Sequence, residues 1–582
     1  MKSRLPVVTK AFMARFWISV MRTPLFRAPG SILAARSGGC GKSRVMLSVS
    51  APPITGTPQP PWFPRRPRTA RTSSNGVKNA SMSSSARNRA DRLRMAGGLA
   101  RGGRKRPSSW PALLAAGFFG LSGCGTVGSA VNSVVGSNAP PEGQQGHVRG
   151  FLGGVVADEP RAALVGREVL SAGGTAVDAA VAAGFAMAVT LPSRTGLGGG
   201  GACLVFNRER GSTEAVLFPA TAPSPAGPVG DRPAAVPMLA RGLFALHTRL
   251  PGRPFNELMA PAEQLARFGA TTSRALAQDL AAVAGPLLAD PPARAVFTGP
   301  NGQPLAEGEQ LVQPDLGGAL SALRVAGVGD LYQGAMARRL VELSARAGGP
   351  LTLEDLRPAV PVVAKPLEMR VGSDLLAFLP LPADGGLAGA AAFQALQSGA
   401  GVDAASQRGL AVSRTWRERG GEAASLLANP PPLDGPVPAL PASASLVTLD
   451  KDGNAASCAF TLNNLFGTGR VVPQLGFVMA AAPNRGRVEP PLLAAALAYN
   501  ANLRAFRYAG AATGQGAAPI ALALPAARAL LNGSPVAEAV AAVPAPGSAN
   551  AISCPRYLPG SESRCTAAAD PRGFGLALIG GQ

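Results

Sequence analysis

The chain has 582 residues and a formal net charge of +23, yet the charge sits at one end: residues 1–110 hold 22 Lys and Arg against the single acid Asp91, and the remainder holds 34 basic against 32 acidic side chains. A body this close to neutral excludes a nucleic-acid-binding reading of the whole protein. Two histidines (His147, His247) and six cysteines with no CxxC pair give little support to a zinc site or a Ser-His-Asp triad.

Residues 1–94 are rich in Arg, Ser and Pro and lack sustained periodicity. Such a stretch cannot bury enough apolar surface to offset its ordering entropy, so it reads as a start codon assigned too early or as a disordered tail. Residues 95–124 read as a signal peptide. Arg101, Arg104, Lys105 and Arg106 form the basic region, and WPALLAAGFFGL (110–121) is an apolar run too short to span a bilayer. Leu121-Ser122-Gly123-Cys124 resembles a bacterial lipobox, in which Cys124 becomes the lipidated first residue. Gly125 follows, with no Asp there, so the expected location is the outer membrane, facing the periplasm. A plain cleaved signal and a chance apolar run are the alternatives. Residues 125–150 are small and polar, as a tether should be.

The body turns regular from Val155. Residues 161–172 predict an amphipathic helix stopped by Gly173-Gly174, followed by an alanine-packed buried helix over 176–189. GLGGGG (196–201) leads into a strand over 202–206. It lacks the GK[ST] ending of a phosphate loop and does not open a helix, so it reads as close backbone packing. Helices are expected over 240–250, 258–268, 315–326 and 335–347, and Thr352 to Asp355 reads as a helix cap. Strands over 446–449 and 457–462 flank Asp452-Gly453, a hairpin turn signal. Helices over 520–531 and 536–543 follow. Cys554 and Cys565 read equally as a short disulfide loop and as two free thiols. The mixture makes the class α+β.

Several stretches then carry a family likeness. VVADEPRAALVGREVLSAGGTAVDAAVAAGFAMAVTLPSRTGLGGGGACLVF (155–206), GRPFNELMAPAEQLARFG (252–269), LYQGAMARRL (331–340), GGPLTLEDL (348–356) and LDKDGNAASCAFTLNNLFGTGR (449–470) resemble, in order, the gamma-glutamyltransferase family. The resemblance implies a four-layer αββα sandwich of the N-terminal-nucleophile hydrolase type. It also implies self-cleavage that frees the amine of a hydroxyl-bearing residue, so that base and nucleophile share one residue and no histidine, cofactor or metal is required. Counted back from Asp450, the family's nucleophile position falls on Ser443 and the cut falls after Ala442. The chain would then divide into a large region, 151–442, and a small region, 443–582, that stay associated. Thr461 and Asn463 match two further active-site positions, and Gly514 stands approximately at the oxyanion-hole glycine pair. Ser445 and Thr448 are weaker nucleophile candidates, displaced from the aligned start.

The chain departs from the family at both substrate grips. The Arg that holds the substrate carboxylate is missing from Phe218-Pro219-Ala220-Thr221-Ala222-Pro223, and Arg485 stands where the family has an Asp for the amino group. The stretch from Gly386 to Ser443 is short and Pro-rich. The functional expectation is acyl transfer or amide hydrolysis on a small gamma-glutamyl or other acyl substrate. The alternative is a catalytically inactive relative kept as an envelope binding or structural lipoprotein.

Overall fold

A computed structural model describes residues 150–432, 442–486, 488–560 and 562–581. The leader, the lipobox with Cys124 and the tether up to residue 149 lie outside the described residues, as does the Pro-rich stretch 433–441.

Fifteen strands follow one another among the described residues: β1 (Phe151–Ala157), β2 (Gly200–Asn207), β3 (Ser212–Phe218), β4 (Ala270–Thr271), β5 (Gln310–Leu311), β6 (Val362–Ala364), β7 (Leu367–Val371), β8 (Asp374–Phe378), β9 (Ala444–Asp450), β10 (Ala455–Thr461), β11 (Ala494–Asn500), β12 (Ala505–Thr513), β13 (Ser548–Leu558), β14 (Thr566–Ala569) and β15 (Leu576–Gly581). They build a seven-stranded sheet in the order β15-β1-β9-β10-β2-β3-β6, a six-stranded sheet in the order β14-β13-β12-β11-β8-β7, and the small ladder β4-β5. Every pairing is antiparallel.

Side-chain alternation along the strands explains the layering. On β9 and β10, Leu446, Ala456, Cys458 and Phe460 pack against helices through Val177, Val181, Phe185 and Leu243. Val447, Leu449, Ala455 and Ala459 face the second sheet through Leu497, Ala509, Ala511 and Ile552. The outer face of that second sheet is covered by Phe393, Ile520 and Leu522 of the helices Asp384–Gln397 and Ala518–Leu531. The result is the expected four-layer αββα sandwich, with a dry aliphatic seam between its two sheets.

The helix Ala176–Thr190 is buried along its whole length, as a helix apolar all round must be. Its start is fixed by a capping box in which Thr175 and Asp178 satisfy each other's backbone N–H groups. Asp450 at the end of β9 reaches the same turn, accepting from Ala176 N at 3.0 Å, while Thr448 Oγ1 donates to Ala176 O at 2.7 Å. The hairpin at Asp452-Gly453 forms as expected, with Gly453 at φ 90°.

Two regions differ from expectation. The stretch from Gly386, read only as short and Pro-rich, carries the helices Asp384–Gln397, Val402–Arg419 and Ala423–Ala428. Buried Asp384 ties the first two together, accepting from Arg417 Nε at 2.6 Å and Ser413 Oγ at 2.5 Å. The helix Arg274–Leu287, kinked at Val283, is a further element that the sequence reading did not include. Among the cysteines, Cys554 and Cys565 are disulfide-bonded, and so are Cys203 and Cys458, which face each other across β2 and β10.

The glycine run packs backbone on backbone. A Cβ at Gly198 would lie 2.2 Å from Val478 O, and one at Gly200 would lie 2.3 Å from Phe218 O. Overpacking of this kind costs about 1–3 kcal/mol. Gly200→Ala is therefore expected to lower the free energy of unfolding by that much, read from the denaturant midpoint at unchanged m, and an unchanged midpoint would contradict the close approach.

Candidate active site

Ser443 immediately precedes β9, near the centre of the larger sheet, and is only 3% exposed. The ladder pairs Phe460 with Ala444, so the next position on each strand sets Thr461 opposite Ser443. Thr461 Oγ1 donates to the carbonyl of Ala442 at 2.6 Å and accepts from Asn463 N at 2.9 Å. The hydroxyl thus rests on the peptide bond that joins Ala442 to Ser443.

Asn463 sits in the left-handed region at φ 57°, a conformation that Asn tolerates better than most residues. Its amide donates to Ala220 O at 2.8 Å and Ala481 O at 3.0 Å. The side chain therefore joins the segment after β3 to the segment that starts at Ala481, the two stretches in which the resemblance puts the substrate grips. Its Oδ1 is buried and has no hydrogen-bond partner among the described residues. Asn464 turns away and donates to Gly467 O.

The grips themselves differ from the family, as the sequence indicates. Arg485 is half-buried, and its Nη2 reaches Pro223 O at 3.4 Å, which bridges the same two segments. Gly514 follows β12 in the second sheet at φ 117°, where a Cβ would meet Gly547 Cα at 2.6 Å. Ser457 Oγ bonds Gly510 O, and Asn550, the ladder partner of Ala511, bonds Ser445. Moving from Val447, the partner of Ser457, towards Ser445 thus follows β12 from Gly510 towards Gly514. Gly514 lies at the same end of the sandwich as Ser443.

Sequence reasoning missed the polar group next to the start of β9. Asp158, just after β1, accepts from Ser445 N at 2.7 Å, Ser445 Oγ at 3.1 Å and Asn550 Nδ2 at 2.7 Å. All three residues are buried. Burial pushes the Asp158 carboxyl above its ordinary range, against the pull of the Arg194 charge and these hydrogen bonds. Arg194 is itself held by Asp279 at 2.7 Å. The available signal was an acidic pair, Asp158-Glu159, interrupting an apolar run. Of the two weaker candidates, Ser445 bonds Asp158 and Thr448 bonds Ala176 O.

A carboxyl whose folded-state pKa is raised stabilises the fold at low pH and loses that contribution as pH climbs from its unfolded value towards its folded one. Relative to Asp158→Asn, the native protein is therefore expected to lose stability as pH rises above 3.8, the unperturbed value. Urea unfolding of both proteins across pH checks this, and a constant difference would refute it.

The gamma-glutamyltranspeptidase family profile matches residues 162–417. The chain is 31% identical over 273 residues to glutathione hydrolase 3 of Arabidopsis thaliana, covering 45% of this chain and 43% of that protein. It is 28% identical over 389 residues to the glutathione hydrolase proenzyme of Escherichia coli K12, covering 57% of this chain and 66% of that protein. The chain thus spans less than two thirds of the length of these curated relatives. Among solved structures, a cephalosporin acylase from Bacillus halodurans superposes with a TM-score of 0.62 at 19% identity, over 76% of this chain and 98% of its own, a likeness of fold. Residues 162–417 thus match the gamma-glutamyltranspeptidase profile, and the four-layer sandwich is alike in fold to the cephalosporin acylase, an N-terminal-nucleophile hydrolase fold.

Proposed function

We propose that the chain cuts its own backbone between Ala442 and Ser443. Ser443 then serves as the N-terminal nucleophile of an amide hydrolase or acyl transferase acting on a gamma-glutamyl compound or a related small acyl donor. The carrying observation is the 2.6 Å hydrogen bond from Thr461 Oγ1 to Ala442 O. In the uncut chain this donor polarises the carbonyl that Ser443 Oγ attacks and stabilises the oxyanion that forms on it. The acyl group of Ala442 passes from nitrogen to oxygen, and water hydrolyses the resulting ester. Ala442 leaves as a carboxylate, and the Ser443 amine is released.

That amine completes the reactive group. An α-amino group ordinarily titrates near 8, so a useful fraction is free base at neutral pH and can take the hydroxyl proton of its own residue. An acyl donor then acylates Ser443 Oγ and releases its amine, and water or an acceptor amine removes the acyl group. The regions 151–442 and 443–582 become two associated fragments. Thr461 and Asn463 hold the nucleophile end of β9, and Gly514 offers a backbone N–H for the oxyanion.

The donor's head is gripped differently from the family pattern. A hydrogen bond to a charged group contributes about 1.5–3 kcal/mol, and neither the carboxylate-binding Arg nor the amine-binding Asp is matched here. Arg485 instead offers a cation, which suits a carboxylate and repels an ammonium group. An amino-acid head is therefore held less firmly than in the family, and a donor that lacks the ammonium loses least.

Denaturing electrophoresis under reducing conditions, with N-terminal sequencing, tests the reading. Two fragments are expected, the smaller beginning Ser-Ala-Ser at Ser443. Ser443→Ala is expected to remain whole, and Thr461→Ala to slow scission by about 10²–10³-fold, as for loss of one oxyanion donor. A native chain that stays uncut would sink the proposal.

We further propose that Cys124 is lipidated and tethers the protein to the cell envelope, at the outer membrane facing the periplasm. The lipobox spacing and the basic and apolar regions before it support this. Radiolabelled fatty acid is expected to enter the native protein and not Cys124→Ala; equal labelling of both would overturn the anchor.

A further inference from the structure

The Cys203–Cys458 disulfide has a consequence that depends on scission at Ser443. Cys203 lies on β2 and Cys458 on β10, directly paired in the ladder, with Cα atoms 4.1 Å apart and both side chains fully buried beneath the helical layer. The bond spans 255 residues of sequence, and the Ala442–Ser443 junction falls between its ends. The Cys554–Cys565 bond spans 11 residues and lies wholly beyond that junction. We propose that Cys203–Cys458 is an interchain tether: once the backbone opens before Ser443, the two fragments remain one covalent molecule.

The topology explains what the tether secures. The small fragment threads β9 and β10 between β1 and β2 of the large fragment, and supplies β15 at the sheet's edge. Within the folded sandwich, ladder bonds and the apolar seam already hold the pieces together. The disulfide acts when these contacts open. Reassembly of separate fragments depends on concentration, whereas joined fragments meet at an effective concentration on the order of millimolar. The envelope anchor adds a second consequence. Cys124 would belong to the large fragment and the Ser443 nucleophile to the small one, so the disulfide keeps the reactive fragment attached to the anchored one. Forming the bond moves two electrons and two protons from the thiols to an oxidant, such as a disulfide-bearing oxidoreductase of an oxidising compartment.

The protein, denatured in the presence of excess iodoacetamide so that any free thiol is capped as it is exposed, tests this by electrophoresis with and without reductant. One band at the uncut mass without reductant, resolving with it into two of which the smaller begins at Ser443, is expected. Two bands without reductant would overturn the tether and leave the scission intact. One band in both lanes would overturn the scission and the tether with it. Cys203→Ala/Cys458→Ala is expected to give two bands without reductant, and Cys554→Ala/Cys565→Ala to keep one. If the first of these variants fails to fold, peptide mapping of the unreduced native protein decides the pairing: a Cys203–Cys458 cross-linked peptide supports the tether, and free alkylated thiols at both positions overturn it.

Discussion

The Thr461 hydroxyl links the Ala442 carbonyl, at 2.6 Å, to the Asn463 N–H, at 2.9 Å, and the surrounding structure keeps that pair of bonds in register. A hydroxyl has one proton to give, and here it goes to the carbonyl, because the Asn463 N–H already occupies the oxygen as a donor. The direction of polarisation at the junction is therefore set by the backbone of residue 463. That backbone is fixed in a left-handed turn by an amide side chain bonded to two separate segments.

β9 can bear this role because it is pinned at both ends. At its start, Asp158 and Asn550 hold Ser445 from β1 and from the second sheet. At its end, Asp450 accepts from Ala176 N and from Asn454 N, locking the hairpin to the start of the buried helix. Burial pushes both carboxyls upward in pKa, since an acid in a dry interior resists charging even with several donors around it. These acids are costly to bury, and removing either would leave buried N–H groups unpaired at about 1–3 kcal/mol each. Precision at Ser443 is thus obtained by placing expensive polar groups inside an aliphatic sandwich.

The sheet centre, the Thr461–Asn463 turn and the glycine contacts concern the backbone. The stretches where the resemblance puts the substrate grips begin at the buried end of β3, Phe218–Pro223, and run through Ala481–Arg485.

Much of this was legible in the sequence. Capping residues, the glycine stops, the Asp452-Gly453 turn and the helical apolar periods are local signals, and the elements they mark formed within a few residues of their expected limits. The ordered family motifs marked Ser443, Thr461 and Asn463, residues separated by a fixed hairpin length. The second sheet was not legible: AAALAYN and much of its neighbour β12 are alanine-rich, and alanine carries no strand preference of its own, so only burial between two layers makes those segments strands. The Asp158–Ser445–Asn550 group and the Cys203–Cys458 bond join residues hundreds of positions apart, and no local pattern encodes such a meeting. The sequence by itself determined which segments bend, cap and stop, because those choices are made by neighbours along the chain. Which buried acid meets which strand, and which cysteine meets which, was decided only when the sheets closed and set their register.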